Sequence, residues 1–359
     1  MAGVFTRNGV KRLSGSMYNG VERWQAGKIN GTANGTWVLC STGFATSYSI
    51  DDGLTWTVPV EESFTTAPRG GTWLKLTDGA DNWMAGLDTT SAAMAWNVGL
   101  VPTGAWTKST PVSGIGEPAR KGSFVRVANG DYHALYSFDD EDIIYSDANV
   151  SDTFVPTSNW TKQTDLDVAN RDISSYKLGK AANGSDLFYA VGAEDATYNA
   201  SIGGAWTRDT GAGMSGQFIR DIHYGDGYWV LVGQSNNIKY SNAVNNWTSA
   251  TMDGLTASEW NGIIYSKRDK LWVACADAGY IGVCSGSVPS HFNVQQVGSV
   301  SLEVVRHKAG TWIIAGTNGT ILRSTNGKDW VVIADPGFDS KDIFGVLVDT
   351  IYNNSLDRG

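Results

Sequence analysis

Apolar residues along this chain come in short runs, and helical spacing is nearly absent. Each run opens on an aromatic: Trp37 (W-V-L-C), Trp83 (W-M-A-G), Tyr132 (Y-H-A-L-Y), Phe188 (F-Y-A-V-G), Trp229 (W-V-L-V-G), Trp272 (W-V-A-C-A) and Trp312 (W-I-I-A-G). A second aromatic closes each unit, at Trp56, Trp106, Trp160, Trp206, Trp247, Phe292 and Trp330. Between the two lies a strand followed by a Gly- or Asn-rich turn, as in T-N-G-T-I-L-R-S-T-N-G-K-D-W over Thr317–Trp330. Before the first aromatic another β-prone stretch ends in a turn glycine, as in L-E-V-V-R-H-K-A-G over Leu302–Gly310. β-branched and aromatic residues separated by Gly, Asn and Asp predict four short strands per unit.

A lone four-stranded sheet cannot bury both of its faces, and packing such sheets radially solves the problem. The seven aromatic pairs therefore predict an all-β fold: a seven-bladed β-propeller of four-stranded antiparallel blades, forming a single domain over residues 1–359. Counts of six or eight blades are the alternatives. The stretch D-I-F-G-V-L-V-D-T over Asp342–Thr350 reads as an innermost strand with no blade after it. Terminal strands are expected to close the ring, with V-F-T-R-N-G-V near the N-terminus as a partner; which blade is shared stays open.

The stretch S-I-D-D-G-L-T-W over Ser49–Trp56 matches S-x-D-x-G-x-T-W and resembles the Asp-box of bacterial-neuraminidase-repeat propellers. Degenerate copies occur at Arg323–Trp330, Tyr240–Trp247 and Ala200–Trp206. Ser49 and Asp51 can bond turn amides, Gly53 takes a conformation costly for other residues, and Trp56 packs between blades beside Thr55. The resemblance implies a turn between the third and fourth strands, away from the catalytic face of that family, so Asp51 and Asp52 are read as structural.

Composition narrows the function. Formal charge is -9, from 27 Lys plus Arg against 36 Asp plus Glu, which disfavours nucleic acid as a partner. Cys40, Cys275 and Cys284 are too few and wrongly spaced for a zinc site or a disulfide framework and read as buried thiols. The N-terminal residues lack the apolar stretch of a signal peptide, and no run approaches the length of a membrane span. No cofactor and no metal site is expected: the acidic run Asp139–Asp142 lacks a calcium loop's spacing.

Sialidases share the architecture and use an arginine triad announced by F/Y-R-I-P, and that motif is missing here. Arg23, Arg126 and Arg306 each stand four residues before a turn glycine, and Lys75 does the same. They are read as equivalent inner-strand positions that would hold a carboxylate. The long interblade loops contribute further binding candidates: Arg69, Arg120, Arg171, Arg208 and Trp260. No catalytic residue is nominated. His133, His223, His291 and His307 are scattered, and no nucleophile or phosphate-loop motif occurs.

Low charge, abundant Gly, Thr, Ser, Asn and Trp, no signal peptide and a chain read as one rigid module resemble phage virion proteins in style. The expectation is a non-enzymatic virion structural protein, a tail or capsid accessory or decoration made in the host cytoplasm. It would contact other virion proteins, present a rigid propeller to a host-surface receptor or glycan, and be monomeric in dilute solution without membrane insertion. A sialidase-like or other glycan-acting hydrolase and an assembly-factor propeller are the alternatives.

Overall fold

The computed structural model describes the strands named below, residues 36–58 apart from 42–45, and residues 172–348 apart from 194–195, 202, 213–215, 255–258 and 334–340. Contacts divide the chain into Met1–Asn34 and Gly35–Gly359. The first unit carries two hairpins, Phe5–Arg7 with Val10–Arg12 and Met17–Tyr18 with Val21–Glu22. The N-terminal segment expected to close the ring thus pairs locally. The intervening Asn-Gly explains this, being a strong two-residue hairpin signal.

The second unit is built from sheets numbered I to VII. Sheet I joins Ile343–Val348 to Trp37–Ser41 and Thr46–Ser49, so a strand from the chain's end pairs with one near its start. Sheet II holds Pro68–Lys75, Asp81–Leu87, Met94–Val98 and Thr107–Ser109. Sheet III holds Ala119–Arg126, Tyr132–Phe138, Ile143–Ser146 and Trp160–Gln163. Sheet IV holds Ile173–Lys180, Asp186–Gly192, Ala196–Asn199 and Thr207–Arg208. Sheet V holds Ile219–Gly225, Tyr228–Gly233, Asn237–Ser241 and Thr248–Ser249.

Sheet VI holds Trp260–Ser266, Leu271–Ala276, Tyr280–Ser285 and His291–Gln296, with Thr251–Asp253 added in parallel to its outer strand. Sheet VII holds Leu302–Lys308, Thr311–Gly316, Ile321–Ser324 and Val331–Ile333. All pairings except that of Thr251–Asp253 are antiparallel. From sheet II to sheet VII, each first strand lies against the first strand of the next, and Ile343–Val348 of sheet I touches the first strands of both VII and II.

The core lies between sheets, as expected when a small sheet has no second layer of its own. Trp229, Trp260, Trp272, Trp312 and Trp37 are fully buried. One cluster packs Val230 and Val232 of sheet V against Trp260, Trp272 and Phe292 of sheet VI. The next joins Leu271 and Val273 to Val305 and Trp312 of sheet VII, and a third joins Ile313 to Trp37 and Ile343 of sheet I. All three cysteines are free and buried, and desolvation pushes the Cys40 thiol up to about 12.

Ser49–Trp56 forms a self-bonded turn. Asp51 Oδ1 accepts from Ser49 Oγ at 2.8 Å and from the Thr55 amide at 2.9 Å, and Oδ2 accepts from Thr55 Oγ1 at 2.6 Å. Ser49 Oγ in turn accepts from the Gly53 amide at 2.8 Å. Burial pushes the Asp51 carboxyl up, but the hydrogen bonds from Thr55, Ser49 and Leu54 outweigh it and hold the group below its ordinary value. Gly53 has φ +77°, and a Cβ there would lie 2.6 Å from Ile313 Cδ1 of sheet VII. Arg323 of that sheet donates to the Asp52 carbonyl at 2.8 Å, so the turn also ties two sheets together.

The copy at Ser324–Trp330 repeats the scheme with Asn326 in place of the aspartate. Its Oδ1 accepts from the Lys328 and Asp329 amides at 2.9 and 2.8 Å. The residue that opens each such turn faces the leading aromatic across the strand pair: Ser49 faces Trp37, Asn199 Phe188, Ser241 Trp229, Cys284 Trp272 and Ser324 Trp312.

Candidate binding site at the bulged ends of the first strands

Every first strand from sheet I to sheet VII loses register near its start. The skipped residue is Phe344 in sheet I, Arg120 in III, Ser174 in IV, Arg220 in V, Asn261 in VI and Glu303 in VII. In sheet II the shift between Pro68 and Gly71 spans Arg69. A bulge leaves one residue without a ladder partner and re-aims it.

In sheets IV to VII the bulges share one cause. The amide just past the second strand turns back to the carbonyl just before the first: Ala193 to Asp172 at 3.1 Å, Gln234 to Phe218 at 3.0 Å, Asp277 to Glu259 at 3.1 Å and Thr317 to Ser301 at 2.9 Å. This close approach requires a small residue at the second strand's end. A Cβ on Gly192, Gly233 or Gly316 would lie 1.7, 2.2 or 2.1 Å from the carbonyl oxygen of Asp172, Phe218 or Ser301. Burial follows the same order in sheets IV to VII: a buried residue, a half-exposed bulge residue, then two buried ones.

Polar side chains gather at these bulges. Arg220 Nε is paired with the Glu259 carboxylate, and its guanidinium stands 5.2 Å over the Phe218 ring. Asn261 Nδ2 donates to the Leu302 carbonyl at 3.0 Å and to Asp277 Oδ1 at 3.1 Å. Ser301 Oγ lies 2.7 Å from Glu303 Oε1 and 3.0 Å from Asp277 Oδ1. Burial raises the Glu303 carboxyl above the usual range; the Ser301 hydroxyl counters this and the nearby Asp277 charge adds to it.

One residue deeper, Asp221 is buried and bonded to three consecutive first strands. It accepts from Ser175 Oγ of sheet IV at 2.7 Å, from its own neighbour Ile222 at 2.9 Å and from the Ile263 amide of sheet VI at 3.2 Å. Its charge favours the protonated form of the half-buried Arg306, whose pKa desolvation lowers. Among the described residues, no group of three His, Cys, Asp or Glu side chains is arranged to hold a metal ion.

The sequence candidates fall into different places. Arg69 and Arg120 sit at bulge positions, level with Arg220. Arg208 is exposed on the outermost strand of sheet IV, away from the bulges. Trp260, read as a binding residue, is instead core: it is fully buried, with Nε1 donating to Asn236 Oδ1 at 3.0 Å. Its aromatic bulk packs between sheets V and VI because it immediately precedes the bulge, where the other sheets place Ile173, Ile219 and Leu302. Arg23 and Arg171 lie outside the described residues.

The grouping of Lys75, Arg126 and Arg306 is corrected by the register. Lys75 and Arg126 are the last paired residues of their strands, six past the bulge and level with Lys180, whose ammonium pairs with Asp186. Arg306 is three past its bulge and pairs with Ile313. Counting back from a turn glycine misaligned them because hairpin lengths differ. The same count from the bulge puts Ala134, not Tyr132, level with Trp229, Trp272 and Trp312.

Arg220, Asn261 and Glu303 were missed. Their signal was the small residue ending the following β run, opposite an apolar-polar pair such as I-R, W-N or L-E at the start of the first strand.

No family model and no curated protein matches the chain. Among solved structures it is similar to a putative 6-phosphogluconolactonase from Bacteroides fragilis, at 9% identity over 90% of this chain and 99% of that one, with a TM-score of 0.60. It is also similar to Saccharomyces cerevisiae Sqt1, at 9% identity over 83% and 82% of the two chains, with a TM-score of 0.57. At such identity the likeness concerns the fold alone: an all-β chain of several four-stranded antiparallel sheets with propeller-like structural neighbours.

Proposed function

We propose that residues 35–359 form a seven-bladed β-propeller of the Asp-box type, serving as a non-enzymatic binding module on a phage virion. In this reading it is a tail or capsid accessory protein whose bulged end engages a host-surface glycan. The contacts that pass from each first strand to the next, with Ile343–Val348 between sheets VII and II, support a closed ring. The Ser49–Asp51–Thr55 hydrogen bonds and their copy at Ser324–Asn326 support the Asp-box type.

The observation that carries the binding reading is the recurrence of one bulge in each first strand, which brings polar residues of several sheets to the same end. Sheets linked through shared core clusters make that end rigid, and a preorganised surface loses less on binding. The virion assignment rests on composition: low charge with abundant Gly and Trp in a chain that is repetitive over Trp37–Trp330. Mass spectrometry of purified particles tests it. A fixed ratio to the major capsid protein is expected, and absence from particles refutes it.

Glu303 favours a second reading. A half-buried carboxyl with a raised pKa beside Asp277 and within the field of Glu259 is a general-acid environment. A glycan hydrolase would turn over a reporter glycoside and lose that turnover in Glu303→Gln; no turnover on any reporter leaves the binding reading.

A further inference from the structure

At the end of the first strands remote from the bulges, sheets V, VI and VII repeat one arrangement. A ring on the first strand faces the leading tryptophan of the second: Tyr224 and Trp229, Tyr265 and Trp272, His307 and Trp312, with ring centroids 4.9, 4.7 and 4.2 Å apart. Each ring also lies on the hairpin of the preceding sheet. A Cβ on Gly179 would sit 2.4 Å from Tyr224 Cγ, and one on Gly225 would sit 2.3 Å from Tyr265 Cδ1. At the third boundary Ser266 Oγ stands 3.5 Å from His307 Nε2.

In two of these three boundaries a carboxylate from the preceding hairpin caps the ring. Tyr265 donates its hydroxyl to Asp226 Oδ2 at 3.3 Å, and Ser287 bonds the same oxygen. His307 Nε2 lies 3.0 Å from Asp269 Oδ2. Between sheets IV and V the repeat breaks. The residue after Gly179, level with Asp226 after Gly225, is Lys180, and its ammonium turns to Asp186 across its own hairpin. The Tyr224 hydroxyl has no hydrogen-bond partner among the described residues. The turn of sheet IV is also longer, five residues over 181–185 against two over 226–227 in sheet V.

Where the cap is missing the surface opens into a groove of about 510 Å³, within the range of small-ligand sites. Lys180, Ala182 and Gly184 form one wall, and Tyr224, Gly227 and Asn242 the other. A Cβ on Gly184 or Gly227 would meet nothing within 4 Å, so both turns stand clear of the space between them. A departure from an internal rule without a compensating contact is expected at functional sites.

The lining narrows the ligand. Lys180 is neutralised by Asp186, and Asp226 is engaged by Tyr265 and Ser287, so the groove has no spare charge with which to repay an ion's desolvation. Hydrogen-bonding capacity is what it offers. The Lys180 ammonium keeps two donors beyond the one given to Asp186, and the Asn242 amide both donates and accepts. Burial and the Asp226 charge push the Tyr224 phenol up, so it keeps its proton and can donate as well as accept. Its ring is covered by Gly179 and Trp229, leaving the hydroxyl as the group on offer.

We propose that the groove between the hairpins of sheets IV and V is a binding site for an uncharged saccharide, with Tyr224, Asn242 and Lys180 bonding its hydroxyls. This second site goes beyond the bulged-end reading and does not depend on it.

Saturation-transfer NMR titration of the full chain with maltose, lactose and N,N′-diacetylchitobiose tests the proposal, with glucuronate and glucose 6-phosphate as charged probes. At least one neutral disaccharide should bind, and neither charged probe should bind more tightly than it. Tyr224→Phe keeps the packed ring and removes only the hydroxyl; it should weaken the sugar at least about threefold, as should Asn242→Ala. Ala182→Trp fills the groove from an exposed position and should abolish binding. Melting temperatures close to that of the wild type show that these variants fold. Asn261→Ala and Glu303→Gln, at the bulged end, should bind as the wild type does.

Binding of none of the three disaccharides, tighter binding of a charged probe, or wild-type affinity in Tyr224→Phe or Ala182→Trp would each overturn the inference. Sugar binding that survives Ala182→Trp but is lost in Asn261→Ala or Glu303→Gln would overturn it while upholding the glycan site at the bulges.

Discussion

Asp221 is buried where three sheets meet, and its replacement can be worked through bond by bond. Its Oδ1 accepts from Ser175 Oγ and the Ile222 amide, and its Oδ2 accepts from the Ile263 amide. In Asp221→Ala, both amides lose this acceptor in a buried site, while the Ser175 hydroxyl can rotate to another. A buried donor left unmatched costs about 1–3 kcal/mol, so the expected loss is about 3–5 kcal/mol. Asp221→Asn keeps the shape but brings one NH2. Pointed at Ile263 it meets an N–H, and flipped toward Ser175 it meets the N–H of Ile222. One amide is orphaned either way, and the expected loss is about 1–3 kcal/mol.

Guanidinium unfolding followed by tryptophan fluorescence reads these values directly, with 15 tryptophans as reporters. The expected order is wild type, then Asn, then Ala. An alanine variant within about 1 kcal/mol of wild type, or an asparagine variant below the alanine one, would refute the three-strand role of this carboxylate.

Three further outcomes are expected. His307 is buried against the Trp312 ring at 4.2 Å, and its pKa falls to about 4, first through burial and also through Arg268, with Asp269 opposing. The unfolded chain binds more protons between that value and the free value near 6.5. Stability should therefore fall on acidification across this window, by up to about 3 kcal/mol, and His307→Gln should flatten the dependence in unfolding curves at pH 7 and 4.5. Asp51 has the usual sign for a depressed carboxyl: its contribution is complete above the unfolded pKa of about 3.9 and is lost as pH falls through the lower folded one. The stability gap between wild type and Asp51→Asn should thus close toward pH 2. Trp260→Ala should cost about 3–5 kcal/mol in the same assay, as a fully buried aromatic does; a near-neutral effect would restore it to the surface.

The sequence alone determined what is local. Alternation between short apolar runs and Gly- or Asn-rich turns carried the strand content, and the paired aromatics carried the repeat, because strand propensity and turn chemistry act within a few residues. The Ser49–Thr55 turn was legible for the same reason: the hydrogen bonds that shape it run between residues no more than four apart, while its tie to Arg323 was not. The tertiary structure decided everything that depends on register. A bulge exists only relative to a partner strand, so neither the equivalence of Arg69, Arg120, Arg220 and Glu303 nor the separate level of Arg306 could be counted from turn glycines. Trp260 was decided the same way: one position before the bulge is core and the bulge itself is surface, and a single-residue shift in a strand exchanges the two.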